Sequence, residues 1–206
     1  MVLPVCDHYS GVEVRMRKSL QLQAEMTQEF GACVFDVTLD CEDGAPVGGE
    51  IEHAHLVKEM TSSAAPEARL AVRVHPVDHP SFFDDVDLIL GRVHSRLRHV
   101  MIPKVESVAD VETAASALNR VGALNLPLHV LIESPAAVHR AFEIAAHPRV
   151  QSLSFGLMDF VSAHGGAIPA SGMGVQGQFT HPWCCAPNWK SPAHAMPTAK
   201  CHRIVW

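Results

Sequence analysis

The sequence predicts an α/β fold, a TIM-type (β/α)8 barrel that is incomplete as written, with about six βα units. Three observations point there. Short apolar runs alternate with stretches of helical period, the pattern of a parallel sheet whose strands are joined by helices. Polar groups fall at or just past the C-terminal end of one run after another: Asp40, Glu42 and Asp43, then Arg73, Lys104 and Glu106, Glu133, and Asp159. Barrel enzymes build their site on that rim, each strand donating a group, whereas a doubly wound sheet gathers it at one switch point behind a glycine-rich turn. Neither a GxGxxG nor a P-loop occurs. At 206 residues the chain is also shorter than an intact barrel of about 250.

The elements follow in order. Val2–Cys6 is a candidate first strand. Val12 to Phe30 reads as a helix, with Val12, Met16, Leu20, Leu22 and Met26 set among Arg, Lys, Gln and Glu, and Gly31 stops it. Ala32 to Leu39 is a buried strand, Glu50 to Met60 a helix, and Arg69 to Val74 a further strand. Phe82 to Leu97 is helical in part, and Val100 to Val105 a short strand. Ser107 with Asp110 opens a helix to Leu118 with a start like a capping box. Leu128–Ile132 reads as a strand, Pro135–Ala146 as a helix, and Val150–Phe155 as the last strand.

Composition excludes several classes. Sixteen Lys and Arg against twenty-two Asp and Glu leave a net charge of −6 with no long run of either sign, so no nucleic-acid partner and no anionic membrane surface is expected. No stretch reaches the eighteen or more apolar residues of a membrane span. The first residues lack a basic n-region, and the six cysteines (6, 33, 41, 184, 185 and 201) show no disulfide-scaffold spacing. The expected setting is therefore a reducing cytoplasm.

Glu133 and Asp159 end consecutive strands, and adjacent strand ends lie about 5 Å apart, so both can reach one cation. Mg2+ takes one or two carboxylates, several waters and substrate oxygens. Arg73 offers a planar fork for a substrate carboxylate. Any one of these groups alone more often caps a helix or pairs with a neighbouring base; five rim positions on successive strands, an Arg and a Lys among them, favour a site. Of the fourteen histidines, His53 and His55 stand at i, i+2 on a helix and point apart. His94, His99, His129, His139 and His147 read as surface or satisfied polar residues on helices and loops, while His8 and His75 fall near strand ends.

Five segments, Leu39-Asp40-Cys41-Glu42-Asp43, Val72-Arg73-Val74-His75-Pro76, Ile102-Pro103-Lys104-Val105-Glu106-Ser107, Leu131-Ile132-Glu133-Ser134-Pro135 and Phe155-Gly156-Leu157-Met158-Asp159-Phe160, come in the order of a known pattern. The chain resembles the HpcH/HpaI aldolase/citrate lyase β-subunit-like family of phosphoenolpyruvate/pyruvate-type barrels. The resemblance implies a Mg2+-dependent retro-Claisen or retro-aldol lyase acting on a small 3-hydroxy acid or its coenzyme A ester, as citrate lyase β and malyl- or citramalyl-CoA lyases do. It implies Glu133 and Asp159 as metal ligands, Arg73 as the catalytic and substrate-binding group where enolate charge develops, and Glu42 and Asp43 as orienting groups for Arg73 or a metal-bound water. Lys104 and Glu106 read as a structural pair. Cys41 and His75 stand where the family has Leu and Asn. The acid/base carboxylate that the lyase branch supplies from its C-terminal region, often across a homo-oligomer interface, has no counterpart here. A pyruvate-type class II aldolase of free 2-oxo acids and a non-catalytic remnant or associating subunit are the alternatives.

Residues 1–182 read as the partial barrel; 183–206 do not continue it. That tail holds all three tryptophans, half the cysteines and three prolines, with no Asp, Glu, Leu, Phe or Gly. Read one base earlier, the codons for Trp183 to Ser191 permit Leu-Val-Leu-Arg-Ala-Lys-Leu-Glu-Ile, an amphipathic helix, with no forced stop through Trp206. The tail is therefore expected to be out of frame. A metal knuckle of Cys184, Cys185, His194, Cys201 and His202 lacks the usual ligand spacing.

Overall fold

The computed structural model describes residues 6–184. The chain runs β1 (Cys6–Ser10), α1 (Glu13–Phe30), β2 (Phe35–Asp40), α2 (Glu50–Ser63), β3 (Leu70–Arg73), α3 (Phe82–Asp85), a π-helical turn (Val86–Leu90), α4 (Gly91–Val93) and a 3-10 turn (His94–Arg96). It continues with β4 (Leu97–Ile102), α5 (Val108–Arg120), β5 (Leu128–Ile132), α6 (Pro135–Ala146), β6 (Val150–Phe155), α7 (Leu157–Ala163), a 3-10 turn (Ala170–Met173) and α8 (Gly177–Thr180). All neighbouring strands pair parallel, in the order β1-β2-β3-β4-β5-β6.

The sheet curls into a half-barrel. Three strand spacings would separate β1 from β4 by about 14 Å in a flat sheet, yet His99 Nε2 on β4 donates to Asp7 Oδ2 on β1 at 3.2 Å. Side chains from distant strands therefore meet on the concave face. The convex face carries the apolar set, Val37, Leu39, Leu70, Val72, Val100, Ile102, Val130 and Ile132, packed under the helices with Met16, Val57, Ile89, Leu118 and Ile144. Burying a side chain of this kind contributes roughly 1.5–3 kcal/mol, and this continuous layer holds the half-barrel together.

The concave face is polar. Arg69 pairs with Asp36; above them Asp7 accepts from Thr38 and from His99, and His129 bonds Ser152 and Ser154 at 2.6 and 2.7 Å. Buried polar groups persist only when partnered in this way. Two expectations are corrected here. His99 and His129 lie on strands inside the half-barrel, not on loops or helices. The first strand is Cys6–Ser10 rather than Val2–Cys6, and residues 1–5 lie outside the described residues; its inward side chains, Asp7 and Tyr9, erase the apolar signal.

Other boundaries shift for local reasons. The left-handed Gly31 (φ 69°) closes α1, and the turn it makes delays β2 to Phe35. β4 begins at Leu97 and ends at Ile102, because Pro103 has no N–H to continue the ladder. Asp159 sits in the first turn of α7, just beyond β6. Helix α5 starts with Asp110 accepting from the Glu106 and Ser107 backbone N–H groups. Helix α6 starts with Ser134 Oγ accepting from Ala137 N and Pro135 in its first turn.

Candidate active site

At the end of β2, Asp40 and its register partner Arg73 on β3 form the base of the site. Asp40 Oδ1 and Oδ2 accept from Arg73 Nε at 2.6 Å and Nη2 at 2.5 Å, the bidentate geometry a guanidinium favours. The same carboxylate accepts from the backbone N–H groups of Glu42 and Gly44, both at 2.9 Å, so it fixes the loop after β2 as well as the arginine. Only a glycine fits at 44, since a Cβ there would lie 2.2 Å from Asp40 Oδ2. His53, on α2, donates from Nε2 to the Asp40 carbonyl at 2.8 Å; His55 is exposed.

Glu42 stands on the other side of the guanidinium, Oε2 at 3.0 Å from Arg73 Nη1 and Oε1 at 2.5 Å from Lys104 Nζ. Both oxygens are buried and neither contact has hydrogen-bond alignment. Burial works against the charge of Arg73, but the Asp40 hydrogen bond and charge, then Glu42, hold its pKa above the ordinary value. The Tyr9 ring on β1 covers the guanidinium, with Cζ 5.0 Å from the ring centroid.

Lys104, just past β4, is the one non-glycine residue with positive φ (52°) among the described residues. That uncommon conformation turns its backbone N–H onto Glu133 Oε1 at 2.6 Å. Its Nζ lies 2.5 Å from Glu42, 3.4 Å from Asp43 and 3.9 Å from Asp159. Burial opposes the lysine charge, and the carboxylates, Glu42 foremost, outweigh it and raise the pKa. The expected pairing of Lys104 with Glu106 does not form; Lys104 belongs to the site, and Glu106 lies at the start of α5.

Glu133 leaves β5 and fills space that only glycine leaves open, for a Cβ on Gly156 would sit 2.5 Å from its Oε2. Burial raises its pKa to about 7, the Lys104 N–H works against that, and the charges of Asp159 and Glu42 add to it. Glu133, Glu42 and Asp159 are thus carboxylates crowded around one lysine. No cluster of three or more His, Cys, Asp or Glu converges as metal ligands among the described residues. The two carboxylates Glu133 and Asp159, with the ion-paired Glu42 close by, nonetheless suit Mg2+, which needs few protein ligands and keeps its waters.

The structure therefore brings together Arg73, Glu42, Asp43, Glu133 and Asp159 through Lys104. His75 lies beside them, its Nδ1 donating to the buried Asp85 at 2.7 Å while its ring stacks on His79. His8 is exposed. Sequence reasoning missed the role of Asp40, whose only signal was a carboxylate in register with an arginine one strand on. It missed Tyr9 altogether; the single tyrosine of the chain gave no periodic signal on a polar strand. Of the expected tail, the Trp183 ring lies tilted against that of His164, centroids 5.2 Å apart, and Cys184 is buried against Phe160 and Ile168; residues 185–206, with the rest of the suggested metal knuckle, lie outside the described residues.

Residues 20–188 match the family described as HpcH/HpaI aldolase/citrate lyase. An L-malyl-CoA/beta-methylmalyl-CoA lyase of Cereibacter sphaeroides is 32% identical over 175 residues, covering 81% of this chain and 55% of that protein. A citrate lyase subunit beta-like protein of Deinococcus radiodurans is 31% identical over 144 residues, 68% of this chain and 49% of that one. Among solved structures, a citrate lyase from Burkholderia xenovorans LB400 superposes with a TM-score of 0.83 at 42% identity, over 98% of this chain and 63% of that chain. A citrate lyase beta subunit from M. tuberculosis, complexed with oxaloacetate and magnesium, gives a TM-score of 0.58 at 21% identity over 81% of this chain and 64% of that one, a likeness of fold. The chain spans about half the length of the curated relatives it matches.

Proposed function

Because the chain belongs to the HpcH/HpaI aldolase/citrate lyase family, we propose that its site serves Mg2+-dependent cleavage of the carbon–carbon bond of a 3-hydroxy acid or its coenzyme A thioester. The observation that carries this reading is the meeting of an immobilised Arg73 fork with the crowded carboxylates Glu42, Glu133 and Asp159 on one rim. Glu133 and Asp159 are the residues to hold the cation, and bound there it supplies Lewis-acid stabilisation of charge growing on a substrate oxygen.

The chain's own groups do the rest. Arg73 has Nε and one N–H of Nη2 committed to Asp40 and Nη1 facing Glu42 at 3.0 Å, so only the N–H groups these two carboxylates leave over can take a substrate carboxylate. Held on both sides, the fork loses little freedom on binding, which is the sense in which the site is preorganised. Lys104 offsets the repulsion among Glu42, Asp43 and Asp159, while its backbone N–H orients Glu133. The substrates we propose are small molecules, with no nucleic-acid or membrane partner, in a cytoplasmic enzyme that forms a family-like homo-oligomer when the barrel is intact. The net charge of −6 speaks against a nucleic-acid or anionic-membrane partner, and no helix among the described residues is long and apolar enough to cross a membrane.

The test is Mg2+ titration by calorimetry of the parent chain and the near-isosteric Glu133→Gln and Asp159→Asn variants, beside an assay of thioester cleavage. Each variant is expected to weaken Mg2+ binding at least tenfold, since losing even a group that only supports a metal ligand typically costs about 10–100-fold. Parent-like Mg2+ affinity in both variants would remove the reading.

A further inference from the structure

We infer that Tyr9 is a positioning residue that holds Arg73 in its substrate-binding orientation from the open side of the half-barrel. The inference rests on the reading of Arg73 as the carboxylate-binding group. Asp40 holds the guanidinium in its own plane through Nε and Nη2, and Glu42 lies 3.0 Å from Nη1 without hydrogen-bond alignment, contacts that leave the group able to tilt. The Tyr9 ring, with its centroid 5.0 Å from Cζ, blocks that motion from the face. A cation over an aromatic face is attracted by the ring quadrupole, the more so where water is partly excluded, and Arg73 is 6% exposed.

The placement follows from the strand. Tyr9 is two residues after Asp7 on β1, and Asp7 points to the concave face, where it meets Thr38 and His99. Alternation along the strand sends Tyr9 to the same face, one layer nearer the rim. Tyr9 remains 48% exposed, which sets its ring at the mouth with one side on Arg73 and the rest toward the space a ligand would enter. An apolar side chain of similar bulk would fill that space without attracting the cation, so the ring face and not its volume is what the position uses. The phenolic hydroxyl is not needed for this role.

The experiment measures binding of L-malate in saturating Mg2+ by calorimetry on the full chain, with thermal melting as a fold control. Parent, Y9F, Y9L and R73K are compared, the last keeping the charge but losing the planar fork. Y9F is expected to bind within about twofold of the parent and Y9L roughly tenfold more weakly at an unchanged melting temperature, a loss typical of a partly desolvated cation–π contact. Equal affinity of Y9L and Y9F, with R73K impaired, overturns the role of Tyr9 alone. Parent-like binding by R73K, or no binding by the parent chain, overturns the assignment of Arg73 and the inference with it. Equal weakening in Y9F and Y9L also overturns it, because the hydroxyl would then be the working group.

Discussion

Arg73 keeps its charge in a nearly closed environment because three carboxylate oxygens meet it, two from Asp40 and one from Glu42. The pair with Asp40 is the more demanding half, its carboxylate 1% exposed and the guanidinium 8%. Taking both charges out of water costs several kcal/mol per ion, recovered only while the geometry is intact. Replacing Asp40 by Asn keeps the shape, removes the charge and presents an amide N–H to a donor. We expect D40N to lower unfolding stability by about 3 kcal/mol, measured as a reduced denaturant midpoint with an unchanged slope. A midpoint equal to the parent's would mean that Glu42 and Tyr9 suffice to carry Arg73. Glu42 differs in kind: its buried oxygens approach two cations without hydrogen-bond alignment, which leaves it the adaptable member of the cluster.

At the scale of elements, the site is secured by tethers from strand ends to the helices that follow. The plainest joins β3 to α3: Asp85 Oδ2 accepts from both the backbone N and Nδ1 of His75, at 2.9 and 2.7 Å. Burial disfavours the charged imidazole, but the Asp85 hydrogen bond and charge outweigh it, with Glu50 and Glu42 assisting, so the His75 pKa lies above 6.5. A histidine whose folded pKa is raised stabilises the fold fully below its unfolded pKa near 6.5, and that contribution disappears as pH rises through the folded value. The parent should therefore lose melting temperature relative to His75→Asn, which cannot titrate, as pH rises above 6.5 and through the raised folded value. Parallel profiles for the two would show that the tether is independent of charge. The same scale explains what could be read in advance. β5, α6 and β6 were legible to the residue, because their apolar runs are uninterrupted and Ser134-Pro135 marks a helix start. β1 and β4 were misplaced by several residues, since Asp7, Tyr9, Arg98 and His99 interrupt the apolar signal. In a barrel the inward face of a strand is free to be polar, and a pattern sought in apolar residues does not see it. The rim groups were legible as a set, whereas the tyrosine over Arg73 was not, because only the curl of the sheet brings β1 across to β3.

Across the whole molecule, the curl places polar side chains from β1, β4, β5 and β6 in one concave layer, with the site above it and the apolar layer outside. Among the described residues, one edge of β1 and one edge of β6 have no strand partner, and such edges readily recruit other chains. Whether the chain itself meets them depends on residues 183–206, which we propose to be read out of frame. Cys184 is buried with Phe160 and Ile168, and the family match runs to residue 188, both of which set the start of any frame change close to this point or beyond it. The composition from Trp183 onward supports the proposal: it has three prolines, no acid and no leucine, and no helical period of apolar residues can be read in it. The shifted codons permit one. Resequencing the coding DNA across codons 175–206 from its source is expected to reveal one base inserted or missing near codons 182–183. The corrected chain should then remain dispersed at concentrations where the uncorrected one self-associates through its open edges, as read by sedimentation. An unaltered coding sequence would refute the frame proposal, and the tail would stand as the native continuation of this chain.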